Sequence, residues 1–395
     1  MQLTSRDAFL QFGHVLQRDL FPHLEEALGP LNSQLKLLGS VVSLVPLARL
    51  LYARRASTGR PAKDRTALAT AFIAKAILNM PDTRHLIGRL RVDQALRQFC
   101  GWNSVRALPH ESKFSRAFGE FAASQLPQHL HAAVVEATQS QRLIGHIARD
   151  STAIVARERI PEEVMEKKRK AKRLKAAGKG KPHKRTRKGF FAKAKASERG
   201  TRIHRQPYQT VEAMLAEIPT QCDLGRKEDS AGHNKCWRGY KLHWDIADGQ
   251  VPISAVLTSA SVHDSQTAIP LMTISSSRVT YLYELMDTAY DAEGIHGQSK
   301  KLKHVAIIAP HARRKAKMPP EFAEAFPGKL LPQLPQAQID RYKERTIVER
   351  TNARLKAEFG GNQIRVRGAA KVMAHLMFGV LALTVDQWLR MGTTG

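Results

Sequence analysis

The hydrophobic period first changes near residue 143, and that change separates two kinds of structure. Up to about residue 142, apolar side chains recur at helical spacing in Phe9 to Leu28, Leu31 to Tyr52, Leu68 to Met80 and Leu86 to Phe99, with no alternating run between them. The interruptions, at Gly29-Pro30, Thr58-Gly59-Arg60-Pro61, Pro81-Asp82 and from Gly101 to Pro109, carry turn and cap chemistry. From Leu143 the pattern alternates: Ile144, His146 and Ala148 against Gly145, Ile147 and Arg149. That run reads as a strand delivering Asp150 at its C-terminal end. An all-helical region over 1–142 is therefore expected ahead of an α/β region over 143–395.

The later segments extend the sheet. Gly239 to Ala247 and Val251 to Thr258 alternate on either side of Asp248-Gly249, a strong hairpin signal. Ser261-Val262-His263-Asp264-Ser265 opens a helix through Ile269 to Met272, with Asp264 or Ser265 as N-cap and His263 in a capping or packing role. Val279 to Met286 is a strand ending in Asp287, Val305 to Pro310 is another, and Val372 to Trp388 is a closing buried helix. His375, Thr384, Asp386 and Gln387 interrupt that last apolar run, so no membrane partner is expected.

Charge points to the partner. A formal net charge of +28 and a pI near 10.3 call for a polyanion, nucleic acid ahead of an anionic membrane surface. Within Arg157 to Arg205, 20 Lys or Arg stand against 5 Asp or Glu, so about half of the excess lies in one insertion, taken to span about 157–235. Its Lys167-Lys168-Arg169-Lys170 and Lys184-Arg185-Thr186-Arg187-Lys188 runs are ill suited to a core and suit phosphates, a mobile solubilising arm being the competing reading. Arg60, in an extended tripeptide, has the form of a minor-groove contact, against an ordinary loop. Lys113 and Arg116, on a helix opened by Pro109-His110-Glu111, have the form of a recognition helix, against a surface helix packed through Phe114 and Phe118. The cysteines are Cys100, Cys222 and Cys236, without a C-x-x-C pair, which fits a reducing compartment; no signal peptide is read in Met1 to Asp7, and a cytoplasmic location is expected.

One helix carries the chemistry. On Tyr342 to Lys356, the residues Tyr342, Arg345, Glu349 and Lys356 follow one another at spacings of three, four and seven and share a face. Alone, such a stripe is indistinguishable from a solvated, ion-paired helix. With Asp150 and Asp287 at strand ends, Glu349 becomes the third carboxylate of a site able to hold a pair of hard divalent cations among oxygens. Such a pair serves in-line attack at a phosphodiester, and Mg²⁺ suits an all-oxygen site.

The pattern Tyr342-x2-Arg345-x3-Glu349-x6-Lys356 resembles the Y-R-E-K signature of bacterial insertion-sequence DDE transposases. Asp150-Ser151-Thr152, Gly239-Tyr240-Lys241-Leu242-His243, Val262-His263-Asp264-Ser265 and Asp287-Thr288-Ala289-Tyr290-Asp291 support the likeness, which covers most of 143–390. The resemblance implies an RNase H-like mixed-sheet catalytic domain preceded by a helical DNA-binding region, in an enzyme that cuts DNA at the terminal inverted repeats and joins the 3′-OH ends to target DNA. It implies Asp150, Asp287 and Glu349 as ligands of two Mg²⁺ ions, with Mn²⁺ able to substitute, and Tyr342, Arg345 and Lys356 as phosphate contacts. It also implies a homodimer holding paired ends. The family's long β-rich insertion between the second Asp and the Glu is absent, since only about sixty residues separate Asp287 from Glu349. Trp237 and Trp244 are candidates to stack on a flipped base by type alone, with packing the better reading. Zinc at Cys222, His233, Cys236 and His243 is the weaker metal alternative. Two rivals stay open: a nuclease of the same fold that does not join ends, and a non-catalytic DNA-binding regulator.

Overall fold

The computed structural model describes residues 12, 15–52, 64–176, 201–228, 233–309 and 336–393. The first part is helical, as its periodicity predicts: α1 (Phe21–Leu28), α2 (Ser33–Leu44), α3 (Leu47–Tyr52), α4 (Arg65–Ile77), α5 (Thr83–Val92), α6 (Gln94–Phe99), α7 (Glu111–Ala123) and α8 (Leu126–Gln139). Short polar side chains start these helices. Asn32 accepts from Leu35 N, Asp64 from Thr66 N, and Asp82 from the backbone N–H groups of Arg84 and His85. Asp93 ends α5 and caps α6, which divides the long stretch from Leu86 to Phe99 in two.

The second part is a mixed α/β layer. Its strands are β1 (Leu143–Val155), β2 (Asp223–Glu228), β3 (Asn234–Ala247), β4 (Val251–Ser259), β5 (Thr280–Met286) and β6 (Val305–Ile308). The sheet runs β2-β3-β1-β5-β6, with β4 on β3. Pairings among β1 to β4 are antiparallel, and β1–β5 and β5–β6 are parallel. The helices here are α9 (Glu162–Ala176), α10 (Arg202–Arg205), α11 (Val211–Ala216), α12 (Ser265–Arg278), α13 (Glu293–Lys301), α14 (Gln336–Lys343), α15 (Ile347–Glu358) and α16 (Ala369–Thr393).

Alternation sorts the two faces of the sheet. Ala148, Ile154, Tyr240, Leu242, Trp244, Leu285 and Ile307 join α15, α16 and the N-terminal helices in one large core. Met286 and Ile308 face the other way, against Ile269 and Met272 of α12 and Ile295 of α13. The apolar helix α16 packs against α2, α4, α7, α8 and β4, so one continuous core spans both parts of the chain. Ala369–Gly392 is long and apolar enough to cross a membrane, but 72% of its most apolar window is buried inside the protein.

Several expectations are corrected. β1 continues to Val155, so Asp150 lies within the strand rather than at its end, because β3 keeps pairing with it as far as Val155↔Gly239. Tyr342 to Lys356 is two helices, α14 and α15, joined by a 3₁₀ turn at Glu344–Thr346. Part of the basic insertion is ordered: α9 is an exposed helix, and β2 adds a strand to the sheet. Gly239 allows that addition. At the point where β3 passes from β2 to β1, its φ is +149°, and a Cβ there would lie 2.1 Å from Ile154 O.

Candidate active site

The strand register brings the first two carboxylates level. Along the parallel pair, Leu143 stands opposite Thr280 and Ala148 opposite Leu285. The same offset carries Asp150 to Asp287, the first residue beyond β5. On the other side of β1, Asp150 is paired with Trp244 of β3, whose Nε1 donates to Asn352 Oδ1 of α15 at 3.0 Å. Glu349 lies one turn before Asn352, so the helix bearing the third carboxylate is pinned to the residue beside the first. Arg354 holds the far end of α15, donating to Glu358, to Asp386 at 2.6 Å and to Gln387 at 2.8 Å.

Opposite-face residues lock β1 from behind. Arg149 is fully buried and donates to both oxygens of Asp245, at 2.7 and 2.8 Å, with Glu284 at 3.6 Å. Burial works against its charge, yet Asp245 and Glu284 outweigh it and raise the guanidinium's pKa. Ser275 of α12 donates to Asp245 as well, at 2.6 Å. The strand that presents Asp150 is thereby tied to β3, β5 and α12.

Asp150 is 5% exposed, and its Oδ1 has no hydrogen-bond partner. Burial pushes its carboxyl up to about 6; Lys227 opposes this, and Asp287 and Asp264 add to it. Burial also raises Asp287, which accepts from Ala289 N at 2.9 Å and feels Asp264 and Arg345. Arg345 links the groups. It pairs with Glu349 at 3.3 Å, bonds Tyr342, and is held charged by Tyr342, Asp150, Glu349 and Asp287 against the penalty of its burial. Burial, and then Lys227, lower the Lys356 ammonium.

The carboxylates meet the needs of a divalent cation only in part. Asp150 Oδ1 is a buried oxygen that lacks a donor and is faced by a second carboxylate, which fits a hard cation. Glu349 is different: its side chain is 58% exposed and engaged by Arg345. Among the described residues, no three His, Cys, Asp or Glu side chains are grouped closely enough to hold a metal ion. Asp150 and Asp287 thus offer oxygens of the kind a hard cation takes, while Glu349 is held by Arg345. The zinc alternative finds no such cluster either: Cys222 donates to Glu158 O at 3.7 Å, and His243 bonds Thr258 at 2.9 Å.

The remaining basic sequence candidates lie on α7 and α9 or outside the described residues. Lys113 and Arg116 are exposed on α7, whose Phe114 and Phe118 pack inward. Lys167, Lys168, Arg169 and Lys170 are exposed on α9, and Lys168 pairs with Asp223 at the start of β2. Arg60, Lys184, Arg185, Arg187 and Lys188 fall outside the described residues. Trp244 is fully buried, and Trp237 donates to Tyr240 O at 3.0 Å, so both pack.

Two residues near the carboxylates have no counterpart among the sequence candidates. Lys227 of β2 acts on Asp150, Asp287 and Lys356 alike. Asp264 precedes α12 but gives it no side-chain cap; the Ser265 backbone N–H donates instead to His263 Nδ1 at 3.4 Å. Asp264 turns instead to Lys241 at 2.8 Å, with His243 at 3.7 Å and Ser151 bonded to it. The alternation of Lys241 and His243 on one face of β3 was the available signal, but their acidic partner arrives only through the return of the chain after β4.

Residues 201–385 match the family model described as a transposase DDE domain, and residues 23–120 match a transposase domain (DUF772). Both matched family models describe transposase domains. The DDE-domain match contains Asp287 and Glu349 and begins after Asp150. No curated protein and no solved structure matches the chain. The two matches support a transposase function, with metal-dependent DNA cutting as the chemistry that the DDE family suggests.

Proposed function

We propose that the protein is a transposase of the Y-R-E-K kind, which binds the terminal inverted repeats of an insertion sequence, cleaves at the element ends and joins the 3′-OH ends to target DNA. The catalytic part is read as RNase H-like, spanning 143–395 behind a DNA-binding region over 1–142. The observation that carries the proposal is the β1–β5 register, which sets Asp287 level with Asp150 while Trp244 ties the Glu349 helix to the same place.

Asp150, Asp287 and Glu349 would hold two Mg²⁺ ions, Mn²⁺ being able to substitute. When bound, such ions activate the attacking oxygen and neutralise the leaving one. Arg345 now neutralises Glu349 and would be released to a phosphate as Glu349 turns inward. Tyr342, Arg345 and Lys356 supply donors for phosphate oxygens beside the scissile bond, and Lys227, whose charge is felt by Lys356, adds a fourth. In the first step water attacks the phosphodiester, leaving a 3′-OH and a 5′-phosphate. In the second that 3′-OH attacks a target phosphodiester and displaces a new 3′-OH. The cations of α7 and α9 are assigned to backbone phosphates farther along the duplex, and a bacterial cytoplasm and a dimer holding two ends accompany this reading.

The test is to incubate the purified chain and Mg²⁺ with DNA carrying the element's inverted repeats and a target plasmid. Joined products are expected. Cleavage without joining would make the protein a nuclease, and end binding without either would make it a regulator. Asp150→Asn, Asp287→Asn and Glu349→Gln should each abolish cleavage and leave end binding intact; full activity in any of them removes that residue from the triad.

A further inference from the structure

Away from the carboxylates, a cleft of about 580 Å³ opens where α4, α5 and α7 meet α16 and the segment leading into it. Its cationic lining comes from Lys75, Arg84, Arg365, Arg367 and Lys371, and its acidic lining from Asp82 and Glu111. Both acids are occupied. Glu111 pairs with Arg84 at 3.2 Å, and Asp82 accepts from two backbone N–H groups at the start of α5 and from His85. Among the described residues, Lys75, Arg365, Arg367 and Lys371 have no carboxylate at ion-pair distance. Five cations against two acids leave the lining net positive, and Arg365, Arg367 and Lys371 are exposed and open to an anion.

Lys75 makes the demand specific. It rises from the middle of α4, is 7% exposed, and lines the cleft beside a floor formed by Phe72, Phe118 and Phe378, whose rings lie 4.9 to 6.4 Å apart. A buried ammonium above apolar rings is costly unless an anion joins it. Burial lowers its pKa to about 8, with Asp82 offsetting part of the shift. Arg365 and Arg367 flank Val366, which packs on the core, so one anchored residue presents two guanidinium groups at the mouth. Guanidinium and ammonium groups together match the tetrahedral oxyanion of a phosphate.

We propose that this cleft is a phosphate-binding site, with Lys75 at its base and Arg365, Arg367 and Lys371 at its rim. The phosphate can come from the backbone of DNA, which rests on the transposase reading, or from a free phosphorylated compound, which does not.

The test uses the full chain without divalent metal. Inorganic pyrophosphate and a duplex with the element's end are titrated separately into the wild type, into Arg365→Gln/Arg367→Gln, into Lys75→Met, and into Lys300→Gln/Lys301→Gln as an equal charge change elsewhere. For a backbone site, the rim variant should bind the duplex at least tenfold more weakly, with the slope of log affinity against log salt reduced by about 1.8, while the control changes little. For a free-phosphate site, pyrophosphate binding should fall at least tenfold in both the rim variant and Lys75→Met, with the duplex unaffected. Thermal midpoints verify that each variant is folded. If the rim variant and Lys75→Met match the control with both probes, the cleft is not a phosphate site. Mg²⁺-dependent cleavage, measured separately, tells a failed cleft from a failed transposase reading.

Discussion

Trp244 shows how one side chain serves the core and the site together. Its ring is fully buried opposite Asp150, and its only polar atom reaches Asn352, one turn beyond Glu349. Trp244→Phe keeps most of the ring volume and strands Asn352 Oδ1 without its donor. The expected loss is about 1 kcal/mol of stability. Under the proposed function, cleavage should fall by more than that stability change while DNA binding holds, because the freed helix no longer fixes Glu349. Urea unfolding and cleavage assays on the same preparation check this, and equal falls in cleavage and DNA binding would reduce Trp244 to packing. At the same scale, Asp264 shows where sequence falls short. His263-Asp264-Ser265 reads as cap chemistry, and only the contacts with Ser151 of β1 and Lys241 of β3 make Asp264 a neighbour of Asp150.

Legibility at the scale of elements follows locality. The β3–β4 hairpin is plain because period-two runs flank Asp248-Gly249, and Gly249 adopts φ +76° in the turn. β2 is not, since Asp223-Leu224-Gly225-Arg226-Lys227-Glu228 has no apolar alternation and becomes a strand through its ladder to β3 and through Trp237 lying over Gly225. The break between α14 and α15 escapes notice for a similar reason: Glu344, Arg345 and Thr346 include neither Gly nor Pro. α9 could be read as basic but not as docked, because Lys168 meets Asp223 across 55 residues of sequence. Asp223 is 4% exposed, so removing Lys168 would leave a buried carboxylate short of its partner. The informative variant therefore spares Lys168. Lys167→Gln, Arg169→Gln and Lys170→Gln together should leave folding intact and lower the salt slope of DNA binding by roughly 2 to 3. An unchanged slope would show that α9 does not touch phosphates.

For the whole molecule, the single core that joins the N-terminal helices to the sheet is bound at several points by buried histidines. His131 of α8 meets Pro252 O of β4 and Thr384 of α16, each at 3.2 Å. His375 of α16 meets Gly360 O beyond α15 at 3.0 Å, and His243 of β3 meets Thr258 of β4 at 2.9 Å. Burial holds all three neutral, lowering them from 6.5 to about 3, 3 and 4 for His131, His375 and His243. The unfolded chain therefore binds protons first as pH falls. Stability contributed by the neutral rings is full above about 6.5 and is lost as pH drops toward 3 to 4. Each ring contributes about 1.4 kcal/mol per pH unit well inside that window, so together they approach about 4. Against a total of roughly 5–15 kcal/mol, cooperative acid unfolding of both parts of the chain is expected within a few pH units below neutrality. Chemical denaturation at pH 7, 5.5 and 4.5 measures the slope. His131→Gln, which can still donate to Pro252 O or Thr384 but does not titrate, should flatten it by about one third; a slope unchanged by that substitution would place the acid sensitivity elsewhere.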